Sequence, residues 1–189
     1  MLCATLALLS PLEAPPPLNN PVFALATLDA GGNTNMNILT YASPIGIAPR
    51  RWAISLFRKS ETHGNFEKRR TGVLQLLHPT HASLVYTLGG CSARDIDKAA
   101  ICAELGFEWV RFEGSDELLL PGCPAYYRLS MEGDFIHAGE HDTAICLLDS
   151  VSVSAEDNGP ADAALDTRHL RGLGLISDAG RAITPDALL

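Results

Sequence analysis

Apolar residues in this chain fall in short β-prone runs set between glycine, proline and small polar residues, the pattern of strands joined by tight turns. The runs VFALATL and TNMNILTYAS flank DAGGN, where Asp29, Gly31 and Gly32 are expected to supply the positive backbone angles of a hairpin. SPIGIAPRR carries two prolines and is expected to turn the chain before WAISLF, a compact third antiparallel strand. GVLQLL reads as a buried strand between two breakers. From FEWVRF to VSVSAED strands return, and PAYYRLSMEGDFIHAGEHDTAICLLDSVSV is broken at Gly133 and at AGEHD into another hairpin.

Helical signals are fewer. HGNFEKRRTG predicts a short helix ending near Gly72. PTHASLVYTLGG opens on a proline suited to a first helical turn and closes on glycines. In CSARDIDKAAICAELGF, Ser92 followed three residues later by Asp95 matches a capping box, and Gly106 stands where a helix C-terminal glycine is expected. The expected class is mainly β with helical inserts near 79–105, an antiparallel, Greek-key-like barrel, closed or partly closed. Residues 1–20 are expected as an extended arm with prolines at 15–17, and 158–189 as an arm over a partner or a loosely held tail. The domain proper is then 21–157.

Composition narrows the function classes. A chain of 189 residues with 47% hydrophobic composition suffices for one sizeable core. A net charge of −8 argues against a nucleic-acid partner, which needs a basic face, but leaves room for a small anion. Five widely spaced cysteines without a C-x-x-C pair suggest free thiols in a reducing cytoplasm. The opening apolar run lacks a basic n-region and is too short to cross a bilayer, so it reads as a packing arm rather than a signal peptide, with no membrane partner expected.

Against that acidic background FRKSETHGNF gathers cations and small polar residues where a strand gives way to a helix. Two readings stand side by side. Arg58, Lys59, Ser60, Thr62 and Asn65 can form a cup for a phosphate at the helix start. Alternatively, Ser60 or Thr62 only caps the helix and the cations are a solvated face. Arg94 and Lys98, four apart in SARDIDKAA, are expected on one helical face with Ser92 at its start, either as an ordinary charged surface or as a second anion contact. GDFIHAGEHD clusters histidines with acids, but its spacing fits no metal pattern and strand alternation is expected to separate the side chains. Neither a G-x-G-x-x-G turn after a first strand nor a G-x-S-x-G elbow occurs.

The segments NPVFALATLDAGGNTNMNILTYASPIGIAPRRWAISLFRKSETHGNF and LGGCSARDIDK, in that order, resemble the flavin reductase-like proteins with an FMN-binding split barrel. The resemblance covers about Pro21 to Lys98, weakens through the later hairpin and is faint in the tail. It implies that Asn37, Ile38, Leu39, Thr40 and Tyr41 lie along the flavin with Ser43 close behind, and that Arg58, Lys59, Ser60, Thr62 and Asn65 hold its phosphate. It further implies that Ser92, Arg94 and Lys98 border the active cavity, and that His141 matches a histidine of the family's late hairpin, against the blander reading of a surface or core histidine.

The chemistry implied is hydride transfer from NADH or NADPH, as a transient co-substrate, to FMN, with FAD or riboflavin as alternatives. The isoalloxazine carries the reaction, so no side chain is expected as acid, base or nucleophile, and Arg94 and Lys98 would act electrostatically. The resemblance also implies a homodimer with flavin at or near the interface, and electrons passed to free flavin, a monooxygenase or another acceptor. A flavin-binding electron carrier without nicotinamide turnover is the alternative, and a structural barrel without cofactor a third.

Overall fold

Two adjacent interior strands of the sheet bury residues on both faces, and this organises the rest. In β1 (Phe23–Leu28), Phe23 and Leu25 point to one side and Ala24 and Ala26 to the other, all of them buried. β5 (Thr71–Leu76) lies antiparallel to it with Leu74 opposite Leu25. One side forms the barrel interior with Leu39, Ile54, Leu56, Phe66, Leu129 and Ala144, and the other packs under the helical insert with Met36, Leu84, Leu88 and Trp109. The structure, a computed structural model, describes residues 13, 15–153 and 164–184. The predicted arm over 1–12, and the parts of the predicted tail at 158–163 and 185–189, lie outside the described residues.

The remaining strands are β2 (Thr34–Leu39), β3 (Ala42–Ile47), β4 (Arg50–Phe57), a short pair β6 (Val110–Arg111) and β7 (Leu118–Leu119), and the long hairpin β8 (Ala125–Ala138) and β9 (His141–Ser152). Five of these join β1 and β5 in one seven-stranded antiparallel sheet, in the order β2-β1-β5-β8-β9-β4-β3. Its two edge strands, β2 and β3, are consecutive in the chain and separated only by Thr40 and Tyr41. The Tyr41 carbonyl accepts from the Ser55 amide of β4 at 2.9 Å, so the sheet curls until its edges share a bend. The expected fold class, a mainly β split barrel with helical inserts, is the one observed.

Several local expectations are corrected. In the first hairpin only Gly32 takes a positive φ, at 85°, while Asp29 accepts from the Asn33 amide at 2.8 Å. TNMNILTYAS is two strands, and SPIGI is edge strand β3 rather than a turn. Pro44 is tolerated there because an edge strand spares its missing N–H and the pairing with β4 is bulged between Pro44 and Gly46. WAISLF therefore pairs with β3 and β9, not with β2. The helix after β4, α1 (Glu61–Arg69), stops on Arg70 at φ 61°, whose amide bonds the Phe66 carbonyl and whose side chain reaches the Met131 and Gly133 carbonyls. Gly72 lies instead in β5, where an added Cβ would stand 2.8 Å from the Ala26 carbonyl oxygen.

The insert begins with a 3₁₀ turn, Pro79–Leu84, and a π-type turn, Tyr86–Gly90, before α2 (Lys98–Glu104). The cap of α2 is Asp97, accepting from Ala100 at 3.1 Å, not Ser92, whose hydroxyl accepts from the Arg94 amide within a loop. The helix starts there because Lys98 is drawn inward. Gly106, at φ 87°, follows α2 as expected. The reading of the tail as a loose arm does not hold for its described part. Pro21 bridges Asp166, which caps α3 (Thr167–Gly172), and Leu165, Leu170 and Ile176 belong to the outer core.

Candidate functional site

β4 ends at Phe57, and the turn Arg58-Lys59-Ser60 delivers the chain into α1. Ser60 is the cap: its hydroxyl donates to the Phe57 carbonyl at 2.8 Å and accepts from the His63 amide at 3.2 Å. The helical ladder begins only with Gly64, so the amides of Glu61 and Thr62 head the first turn beyond the reach of an i−4 carbonyl partner. In front of this turn opens a cleft of about 610 Å³ whose cations are Arg58, Lys59 and Lys68, with Arg94 reaching across from the insert to pair with Glu61. Four cations beside a helix N-terminus of nine residues are a donor set that fits a phosphate.

The cleft floor holds a buried carboxylate. Asp142, on β9, accepts from His63 Nε2 at 2.9 Å and His137 Nδ1 at 2.8 Å, and Arg58 Nε stands 3.5 Å away. Burial pushes this carboxyl upward, but His137, His63 and Arg58 outweigh it and hold it below the usual carboxylate range. The His63 ring is stacked on Phe135 with centroids 4.4 Å apart and planes 13° from parallel.

The sequence-predicted residues fall in three groups. Arg58, Lys59, Ser60, Asn65 and Arg94 line the cleft together. Two predicted hydroxyls do not offer it a proton: Ser60 spends its own on Phe57, and Thr62 is buried outside the cleft lining, where it accepts from Asn35 Nδ2 of β2 at 2.8 Å. Asn65 is itself buried and its Nδ2 points to Thr27 Oγ1 at 3.4 Å.

The second group is Asn37 to Tyr41 with Ser43. Among the described residues β2 pairs with β1 alone, so no strand lies on its other backbone edge, and the Asn35 bond to Thr62 places that strand against the start of α1. Leu39 is buried in the barrel interior and Ile38 packs toward the insert, which leaves Leu39 backbone rather than side chain to offer. Asn37 and Thr40 are half-buried, Ser43 is exposed on β3, and the exposed Tyr41 ring meets His141 edge-on at 5.5 Å. His141 also contacts Phe57, at 5.7 Å, beside the cleft.

The third group corrects an expectation. Arg94 and Lys98 do not share a helical face, because Arg94 precedes the helix. Ser92 and Arg94 are exposed, whereas Lys98 is buried and donates to the carbonyls of Met36 at 3.1 Å and Leu88 at 2.9 Å. Burial lowers its pKa to about 8, against a smaller opposing influence of Cys91 and Cys102.

What sequence reasoning missed is the pairing of His137 with Asp142. Alternation along one strand separates neighbours, but the hairpin sets these two residues directly opposite each other in register. The signal was present: five positions apart around a glycine turn is a cross-strand pair. No group of three or more metal-ligating side chains with suitable placement occurs among the described residues.

A family model described as the flavin reductase like domain matches residues 17–174. Similar solved structures include the FMN-binding protein from Thermus thermophilus with bound 1-cyclohex-2-enone, at 18% identity, 95% coverage of this chain, 86% of that one and a TM-score of 0.63. The flavoredoxin of Desulfovibrio vulgaris (Miyazaki F) gives 20% identity, 93% and 83% coverage and a TM-score of 0.63. An NADH:FAD oxidoreductase of Streptomyces globisporus gives 12%, 74%, 78% and 0.62. At these identities the likeness is one of fold. No protein with a curated description matches the chain.

Proposed function

The chain belongs to the flavin reductase-like family, and from that premise we propose that it is an FMN-binding oxidoreductase, a flavin reductase that moves hydride from NADH or NADPH to flavin. The observation that carries this reading is the cationic cleft at the start of α1, set beside the open edge of β2. Arg58, Lys59, Arg94 and the first amides of α1 would hold the phosphate, with Lys68 adding charge from the helix. The edge of β2 from Asn37 to Thr40, with Tyr41 at its bend, would run along the ring system. When bound, the flavin supplies the hydride-accepting chemistry, and the chain's residues orient it and limit water around it.

The buried ammonium of Lys98 acts in this reading through the Met36 carbonyl, holding β2 in place, rather than by touching the ligand. We assign 21–157, with the α3 segment that packs on its outer core, as the flavin-binding unit, and we assign a cytoplasmic location and a homodimer. Support for the dimer comes from the exposed apolar residues Tyr41, Ile45 and Ile47 on and beside edge strand β3, with Ile47 90% exposed. Among the described residues no helix is long and apolar enough to cross a membrane. The electron acceptor is free flavin or a monooxygenase partner.

The test is direct. The purified chain is expected to bind FMN, measured by quenching of flavin fluorescence, and to oxidise NADH or NADPH when flavin is added. Bound flavin that neither nicotinamide reduces would make the chain a carrier. Absence of flavin binding would end both readings.

A further inference from the structure

Building on the flavin reading, we propose that Asp142 is the positioning residue of the cleft, fixing His63 and His137 so that binding of a phosphate monoester dianion draws a proton onto this histidine pair. Each carboxylate oxygen of Asp142 takes one ring, Oδ2 from His63 Nε2 and Oδ1 from His137 Nδ1. An ionised carboxylate only accepts, so those two nitrogens carry hydrogen and the tautomers are set. The nitrogens left to gain or lose a proton are Nδ1 of His63 and Nε2 of His137. Phe135, stacked on His63, holds the plane of that ring. Both rings line the same cleft as the cations.

The surrounding charge makes the proton conditional. Arg58 and Lys59 face the pair from the turn, Lys68, Glu61 and Glu67 from α1, and Arg94 from the insert, while His141 stands beyond the hairpin turn against Tyr41 and Phe57. With the carboxylates of Glu61, Glu67 and Asp142 set against them, the four cations leave the cleft a slight positive balance, which disfavours a further positive charge. A dianion reverses the balance and favours charged imidazole. Histidine changes charge between about pH 5 and 8, so the coupling falls in a physiological range.

A phosphate monoester keeps its second negative charge above a pKa of about 6, so measurements between about pH 8.5 and 6.5 report the protein rather than the ligand. Over that window FMN is expected to bind about fivefold more tightly at the lower pH, the part of one full tenfold unit of linkage that a two-unit pH span develops. Riboflavin, which lacks the phosphate, is expected to change by less than about twofold on that same scale. Asp142→Asn is expected to flatten the FMN profile, and His63→Gln and His137→Gln to divide the slope between them. A flat FMN profile in the unaltered chain, an equal slope for riboflavin, or a full slope in Asp142→Asn would overturn the proposal. Should Asp142→Asn not fold by circular dichroism, full slopes in both histidine variants would do the same. FMN that binds with a flat profile removes only this inference, whereas FMN that does not bind at any pH removes the flavin reading beneath it.

Discussion

The floor of the cleft and the contact between β2 and the insert each bury one ionisable group, and they solve that problem in opposite ways. Asp142 sits among three partners able to carry positive charge, so its charged form is favoured although it is buried. Among the described residues Lys98 bonds to the carbonyl oxygens of Met36 and Leu88 and to no carboxylate, and its pKa falls to about 8. A buried charge with counter-charges keeps its proton state, and one with neutral dipoles is driven toward giving it up. The first arrangement suits a site that must present charge to a ligand. The second suits a strut, because a neutral amine still donates two hydrogen bonds.

The largest effect expected from this contrast lies on the alkaline side. The unfolded lysine titrates near 10.5 and the folded one near 8, so between these values the unfolded chain binds more protons. Stability contributed by Lys98 therefore rises with pH across that window, by about 3 kcal/mol in all. Cys146, pushed up to about 12 by burial, works in the opposite direction, so the difference between two chains is the quantity to read. Lys98→Met is expected to gain on the unaltered chain at pH 7 and lose that gain by pH 10.5, in urea unfolding at matched pH. A difference that does not vary with pH would show that Lys98 is not held without a counter-ion.

Asp142 gives the complementary response. Its folded pKa lies below the ordinary 3.8, so its contribution is fully present above that value and is lost as pH falls through the folded pKa. The stability gap between the unaltered chain and Asp142→Asn should close as pH falls below about 4, by thermal unfolding in a pH series. A gap that persists unchanged to pH 2 would mean that packing, not charge, holds the cleft floor together.

How much of this could be read from the letters differs between the two places. The barrel was legible because its strands are short, apolar and punctuated by breakers, and the cationic turn because FRKSETHGNF stands out in an acidic chain. The edge strand β3 was not, since a proline usually argues against a strand and is admitted here only by its place in the sheet. The shared face of Arg94 and Lys98 failed because the helix begins five residues later than the Ser92 cap implied, a choice made by the tertiary burial of Lys98. The cluster around Asp142 needed hairpin register, a long-range quantity that periodicity along one strand cannot supply.

The smallest effect separates two roles of one hydroxyl, and the cleft floor supplies the contrast. Ser60 donates to Phe57 and accepts from His63, which leaves lone-pair capacity but no proton for an anion. Ser60→Ala should therefore cost about 1 kcal/mol of stability in urea unfolding, the usual value of a helix cap. Because the cap also fixes the approach of His63 to Asp142, a slight weakening of FMN binding should accompany it, shared by no more than about twofold between FMN and riboflavin. Arg58→Ala, which removes a cation from the cleft, should instead weaken FMN by tenfold or more while sparing riboflavin, in keeping with the roughly doubled strength of charge-assisted bonds. If Ser60→Ala reproduced the Arg58→Ala selectivity with unfolding unchanged, the hydroxyl would have to turn from Phe57 to the phosphate on binding, and the cap would be a feature of the free chain alone.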